Sequence, residues 1–146
     1  MGYTRLQTQP FGIDGVLEEL RRDPRTGGVT FYVGSVRGDD DGRHVDALTY
    51  EAYPEMAEKV LDQLRRNTIQ QFRLVDATVI HRLGTMKAGE PILLVALAGA
   101  HRGETYDAVR YFMDRLKEEV PIWKREEAPD GPTWILGSER RRVEAP

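Results

Sequence analysis

The sequence predicts an α+β protein, in which helices pack on a sheet within one domain spanning residues 1–146. Three observations predict this class. The chain has 146 residues, which suits one domain with a real hydrophobic core. Segments with apolar residues at helical spacing alternate with segments rich in β-branched and aromatic residues. No internal repeat, low-complexity tract or linker divides this alternation, so we expect its elements to pack together.

The first half of the chain predicts helix, strand, loop, strand and helix in turn. Apolar residues at helical spacing predict a short helix over 13–22, and a β-branched and aromatic run predicts a strand over 29–37. The acidic segment 38–43 is typical of a polar turn or a mobile loop. A second strand over 45–53 leads into a helix over 54–72, whose first residue is a proline.

The second half predicts two strands and a long helix. Residues 75–82 and 91–98 have strand composition and are joined through 83–90, and the second is apolar enough to be central. A helix follows over 103–120. Its predicted apolar stripe consists of Tyr106, Val109, Phe112, Met113, Leu116 and Val120. The charged tail, about 138–146, is expected to fray or to dock on a partner.

Composition excludes several classes of function. The 21 basic and 24 acidic residues give a formal net charge of -3, so no whole-molecule field favours nucleic acid. The chain has no cysteine, so it has no disulfide and no thiolate nucleophile. Its three histidines lack paired ligand spacing, and we expect no metal and no cofactor. Without a signal-like or membrane-spanning apolar run, the expected location is the cytoplasm.

Two lysines near the end of the long helix are the most informative residues. Lys117 lies in the last turn, and Pro121 stops or kinks the helix before Lys124 arrives beside Trp123. Such a turn could aim two amines at one pocket, where a desolvated lysine can act as acid, base or nucleophile. The alternative is that both lysines are solvated surface charges, with Lys117 complementing the helix dipole.

Further basic residues stand at strand and helix ends. Arg37 ends a strand, while His101 and Arg102 stand between a strand and the long helix. Backbone N–H groups and the dipole favour anions at a helix N-terminus, so this pair is suited to a phosphate or a carboxylate. These residues could equally be solvated charges. His81 and Arg82 form a second such pair, and spacing does not rank the two.

Several segments of the chain, kept in order and at similar gaps, carry a resemblance to a known family. These segments are FYVGSVR (31–37), LTYEAYPEMAEK (48–59), IHRLG (80–84), AHR (100–102), MDRLK (113–117) and PIWKRE (121–126). Together they resemble the large, catalytic subunit of molybdopterin synthase, from about residue 28 to residue 134. The resemblance implies an α/β hammerhead with an additional antiparallel β-sheet.

The activity that the resemblance implies is a sulfur transfer in molybdenum cofactor biosynthesis. Cyclic pyranopterin monophosphate receives two sulfurs and becomes molybdopterin. The sulfurs arrive as a thiocarboxylate on the C-terminal Gly-Gly of a small ubiquitin-like partner subunit. This delivery is compatible with the absence of cysteine from the chain. The large subunits are expected to form a central homodimer with one small subunit at each end, a heterotetramer.

The resemblance also implies roles for single residues. Lys117 is expected to meet the partner's tail and to transfer protons, and Lys124 to stabilise developing negative charge. Arg37, His101 and Arg102 are expected to bind the phosphate and the pterin.

The comparison with the family bears on the site in three further ways. Tyr32 and Met113 match positions that line the pocket. Arg140 or Arg141 could supply the arginine that the family borrows from a second protomer. The loop 38–43 departs from the family in being unusually acidic, and it could screen the neighbouring phosphate ligand.

Two other functions remain open at this point. A lysine Schiff-base lyase would use Lys117 or Lys124 on a phosphorylated carbonyl compound, and borohydride reduction would then trap an adduct. A non-catalytic module would only bind a ubiquitin-like tail.

Overall fold

A computed structural model describes residues 1–136 and 139–140 of the chain and contains two main β-sheets and three helices. In chain order the elements are β1 (Thr4–Gln7), α1 (Asp14–Arg21), β2 (Gly28–Ser35), β3 (Asp39–Asp40), β4 (Arg43–His44), β5 (Ala47–Ala52), α2 (Pro54–Phe72), β6 (Asp76–Arg82), β7 (Gly84–Lys87), β8 (Pro91–Gly99), α3 (Arg102–Glu119), β9 (Ile122–Glu127), β10 (Thr133–Leu136) and β11 (Glu139–Arg140).

The first sheet has four strands in the order β1-β6-β8-β2. β1 runs parallel to β6, and the other two pairs are antiparallel. The central strand β8 is buried from Ile92 to Gly99, which explains its continuous apolar sequence. Its side chains alternate between two hydrophobic clusters, with Leu93 in one and Leu94 in the other. The sheet is therefore covered on both faces.

The helices supply these covers. Val16 and Leu20 of α1 belong to the smaller cluster. On the opposite face α2 and α3 pack together, and Leu61 of α2 and Phe112 of α3 are completely buried in the larger cluster. Leu116 and Val120 belong to the same cluster, so the C-terminal end of α3 is packed beside the second sheet.

The second sheet has five antiparallel strands in the order β11-β10-β9-β5-β7. Met86 of β7 and Tyr50 of β5 extend the larger hydrophobic cluster into this sheet. A separate ladder of two-residue strands, β3 and β4, stands between β2 and β5 in the chain.

The predicted α+β class and the additional antiparallel sheet are confirmed. The helix over 54–72 has the predicted bounds, and the structure places helices and strands at the other predicted positions within a few residues. Short strands β1, β7, β9, β10 and β11 were not predicted. The segment 38–43, predicted as a turn or loop, contains the β3–β4 ladder.

The predicted apolar stripe of α3 needed one correction. Tyr106 is 56% exposed, so it does not belong to the core. Phe112, Leu116 and Val120 of the predicted stripe are buried, and Thr105 and Ala108 are buried as well. Thr105 takes the place of Tyr106 because its hydroxyl is satisfied by the Arg102 carbonyl oxygen at 2.8 Å.

Candidate active site

A cleft of about 780 Å³ lies where β2, β5, β9 and the end of α3 meet. This volume is that of a typical small-molecule site. Its walls are mixed, with apolar side chains from the core and charged side chains at the rim. Its charged or titratable lining residues are Arg37, Asp40, Asp41, Tyr32, Tyr50, His81, Lys117, Lys124 and Glu126.

The end of α3 brings Lys117 and Lys124 to this one cleft. The helix ends at Glu119, and Val120 is already extended, with φ -90° and ψ 123°. Pro121 cannot continue a helix, and the chain turns into β9 at Ile122. The reversal lets a helical residue and a strand residue face the same space.

Lys124 occupies the more buried of the two lysine positions. It is half-buried, whereas Lys117 is exposed. Burial lowers the pKa of Lys124 below its ordinary value, and the nearby positive charges of Lys117 and Arg37 lower it further, while Glu126 opposes the shift. A lysine in such surroundings gives up its proton more easily than one in water. Lys124 is therefore better suited to proton transfer than its position in the sequence indicated.

Arg37 follows β2 and stands at the rim of the cleft, with 72% of its side chain exposed. Its guanidinium Nη2 lies 3.0 Å from Oδ1 of Asp40. Tyr32 and Met113 also line the cleft. Together with Lys117 and Lys124, these three residues make five of the residues proposed from the sequence that line one cleft.

His101 and Arg102 lie elsewhere. His101 is the N-cap residue of α3 and Arg102 its first residue, and both are exposed. Fifteen residues of helix separate Arg102 from Lys117, a distance of about 22 Å at 1.5 Å per residue. Neither residue lines the cleft of its own chain. Of the C-terminal candidates, Arg140 belongs to strand β11, and Arg141 lies outside the described residues.

His81 is a cleft residue whose role the sequence did not reveal. Only 5% of it is exposed. Its Nδ1 lies 2.8 Å from the carbonyl oxygen of Arg82, and because a carbonyl only accepts, Nδ1 carries the proton and Nε2 is left as an acceptor. Burial lowers the pKa of His81 to about 4, despite that hydrogen bond, and the charge of Lys124 contributes to the lowering. His81 is therefore neutral at neutral pH.

Tyr50 is a neighbour of both His81 and Lys124. Its ring meets the imidazole edge-on at 5.0 Å, and it pairs directly with Lys124 across the β5–β9 ladder. Side chains of directly opposed residues share one face of a sheet. Burial raises the pKa of the Tyr50 phenol well above its ordinary value. The cleft floor is thus a neutral phenol and a neutral imidazole beside an amine.

Arg82 has a structural role, which separates it from its neighbour. Its guanidinium donates to the carbonyl oxygens of Thr8 at 3.0 Å and Pro91 at 3.0 Å. It also lies 3.5 Å from Glu90. These bonds tie the ends of the first sheet together. Both residues are buried, but His81 lines the cleft whereas Arg82 does not, a difference that their spacing in the sequence did not reveal.

Two kinds of feature are absent from the described part of the chain. No three His, Asp or Glu side chains within residues 1–136 and 139–140 are grouped so as to hold a metal ion. In the same part of the chain no helix is long and apolar enough to cross a membrane.

An α+β fold whose cleft presents two lysines and an arginine has the groups that an enzyme acting on an anionic ligand requires. A model of the family described as MoaE protein matches residues 6–119. The molybdopterin synthase catalytic subunit of Pyrococcus abyssi is 41% identical over 112 residues, which cover 77% of this chain and 76% of the relative. The chain therefore belongs to the MoaE family, and like the relatives named catalytic subunits it is an enzyme.

Solved structures agree with this assignment. The crystal structure of molybdopterin synthase from Staphylococcus aureus has a TM-score of 0.83 at 32% identity, covering 89% of this chain and 94% of that one. A complex of subunits 1 and 2 of molybdopterin-converting factor from Helicobacter pylori has a TM-score of 0.72, covering 95% of this chain and 92% of that one, but is 18% identical. The latter shows the fold alone. The family predicted from the sequence is confirmed.

Proposed function

We propose that the chain inserts sulfur into cyclic pyranopterin monophosphate, using a thiocarboxylate on the C-terminal glycine of a small ubiquitin-like partner. The observation that carries this proposal is the convergence of Arg37, Lys117 and Lys124 in one cleft of a MoaE-family fold. An anionic sulfur donor and a phosphorylated substrate both need cationic surroundings. Two amines and a guanidinium at one cleft supply them.

The two lysines have different duties in this proposal. Lys117 is exposed at the rim and meets the incoming tail, whose thiocarboxylate is an anion. Lys124 lies deeper, and its lowered pKa suits it to exchange protons with the reacting substrate as well as to stabilise negative charge. As each carbon–sulfur bond forms, a carbon–oxygen bond at the same substrate carbon breaks, and the leaving oxygen takes a proton that Lys124 can supply. Water then cleaves the bond between that sulfur and the partner's carbonyl carbon, which leaves an ordinary carboxylate on the partner and the sulfur on the substrate.

A second copy of the chain completes the site. His101 and Arg102 stand about 22 Å along α3 from Lys117, so they reach a cleft only if it belongs to another protomer. There the helix N-terminus and the guanidinium would bind the phosphate. Arg140 or Arg141 of the second protomer is a further candidate. This arrangement fits a central homodimer with one small subunit at each end, acting in the cytoplasm.

Reconstitution tests the function. The chain is combined with the thiocarboxylated partner and cyclic pyranopterin monophosphate, and dithiolene formation is measured. Wild type should form molybdopterin, and Lys117→Ala should be slower by about 100-fold or more, the usual effect of removing one positioned group that stabilises negative charge. Lys87→Ala is the matched control, because Lys87 is an exposed lysine of β7 outside the cleft. It should react at the wild-type rate.

Two results would contradict the proposal. One is the absence of product with wild type and a fully thiocarboxylated partner. The other is equal rates for Lys117→Ala and Lys87→Ala, which would leave the cleft lysine without a role.

A further inference from the structure

The ion pair between Arg37 and Asp40 occupies the rim of the cleft. Its N–O distance is 3.0 Å, and the Asp40 side chain is only 15% exposed. Both residues line the cleft. Among the described residues, the cleft's three basic side chains, Arg37, Lys117 and Lys124, face three acidic ones, Asp40, Asp41 and Glu126. A site suited to an anion therefore already contains anions of its own.

The β3–β4 ladder fixes the position of Asp40. Asp40 pairs with Arg43 in the ladder, and the backbone N–H of Val45 donates to the Gly38 carbonyl oxygen at 2.9 Å to close its base. The tight turn between the strands uses Asp41 and Gly42, with φ of 52° and 84°. Asp40 is thus held by its backbone and is not a freely moving surface carboxylate.

A second fastening ties the ladder to the far wall of the cleft. The Arg43 guanidinium forms ion pairs with Glu126 of β9 and, at 3.0 Å, with Asp130. Glu126 is buried, with 6% exposed, and lies two residues from Lys124. Arg43 therefore pairs with Glu126 on one wall of the cleft, while Asp40 pairs with Arg37 at the rim.

The ladder is nevertheless small, so Asp40 can separate from Arg37 at little cost in free energy. Each of its strands has two residues, and Arg37 itself is mostly exposed. An ion pair of such exposure contributes little to stability. A phosphate monoester carries more charge than one carboxylate and offers three acceptor oxygens, so it can replace Asp40 at the guanidinium.

We propose that Asp40 is an internal competitor for Arg37, which an incoming phosphate must displace, so that the β3–β4 ladder sets the affinity of the cleft for anions. The identity of the natural anion as the substrate's phosphate rests on the proposed function. The competition itself does not, because any phosphate that reaches Arg37 would experience it.

Titration with inorganic phosphate tests this competition. Binding is followed by the NMR signal of the Arg37 guanidinium and by calorimetry, at constant ionic strength because charge effects depend on salt. Asp40→Asn and Asp40→Ser should each bind phosphate about threefold to tenfold more tightly than wild type, which corresponds to the loss of one partly exposed ion pair. Serine also removes the side-chain carbonyl that asparagine could still offer to Arg37.

Asp39→Asn is the matched control. Asp39 neighbours Asp40 in β3 and carries the same charge, but its Oδ1 accepts from the Gly42 N–H at 2.9 Å. An asparagine oxygen can keep that bond, so phosphate affinity should stay within about twofold of wild type. In an Arg37→Ala background the gain from Asp40→Ser should disappear, because the competing partners are no longer both present.

Several outcomes would overturn the proposal. They are unchanged phosphate affinity in both Asp40 variants, an equal gain in Asp39→Asn, a gain that persists without Arg37, and the absence of saturable phosphate binding in both Asp40 variants. None of them depends on turnover. A failure to form molybdopterin in the reconstituted complex would count against the proposed function and leave the titration result as it stands.

Discussion

Lys124 shows how neighbouring residues determine the properties of one side chain. Its pKa is lowered first by burial, then by Lys117, then by Arg37. Removing Lys117 should therefore raise the pKa of Lys124, though not to its ordinary value, because burial remains. NMR titration of the Lys124 ε-methylene signals in Lys117→Ala measures this. Lys87→Ala removes an equal charge outside the cleft and should leave the Lys124 titration in place. Identical titrations in the two variants would contradict the proximity of the lysines.

His81 makes stability depend on pH. The unfolded chain takes up a proton near the ordinary histidine value of 6.5, but the folded chain does so only near 4. Protonation of the unfolded chain therefore favours unfolding as the pH falls through this window. On account of His81, the free energy of unfolding should be about 2 kcal/mol lower at pH 5 than at pH 7.5.

Urea unfolding of His81→Gln checks this dependence. The variant should lose less stability than wild type between those two pH values, even if it is weaker at both. His44→Gln is the control, since His44 is exposed, and its loss of stability between the two pH values should stay larger than that of His81→Gln. An equally steep loss in His81→Gln would exclude His81 as the source.

The residue that precedes β2, Gly27, has no space for a side chain. A Cβ at Gly27 would lie 2.1 Å from the carbonyl oxygen of Ala100, whereas a Cβ at Gly28 would meet nothing within 4 Å. The Gly27 N–H also donates to the Gly99 carbonyl oxygen at 2.8 Å, so the backbones cannot separate without losing a bond.

Substitution of these adjacent glycines should change the free energy of unfolding by very different amounts. Gly27→Ala should lower the free energy of unfolding by more than about 2 kcal/mol, because the backbone must shift to admit the new atom. Gly28→Ala should change it by about 0.5 kcal/mol or less. Chemical denaturation of both variants provides the comparison. Equal effects would mean that the close approach to Ala100 is not what restricts this position.

At the scale of elements, long periodic segments were predictable and short strands were not. The helix over 54–72 has a regular apolar face and a proline at its start, and its prediction needs no distant partner. Four of the six residues of β9 are charged, and β7 has only four residues. Each becomes a strand through pairing with β5, which lies far away in the sequence, and β9 pairs with β10 as well.

At the scale of the whole molecule, the proposed function assigns the two halves of the site to different chains. A protomer with Lys117→Ala keeps His101 and Arg102, and a protomer with Arg102→Ala keeps both lysines. Each variant alone should be nearly inactive. Each mixed dimer contains one complete cleft out of two, so the mixed dimers should reach up to about half of the activity of a wild-type dimer. Dithiolene formation before and after subunit exchange measures this.

The control for this experiment carries both substitutions in one chain and is mixed with itself. It should stay inactive, since no cleft in its dimers is complete. Failure of mixed dimers to regain activity, with exchange verified by mass spectrometry, would show that Arg102 does not act across protomers.

The sequence by itself determined the fold class, the main helices and central strands, the family and the candidate basic residues. These depend on local periodicity and on residue types, which the chain carries without being folded. The tertiary structure alone decided which candidates meet. It brought Lys117, Lys124 and Arg37 to one cleft, placed His101 and Arg102 beyond the reach of that cleft in their own chain, and buried His81 beside Lys124. Proximity and burial come from packing between distant segments, so spacing along the chain does not encode them directly.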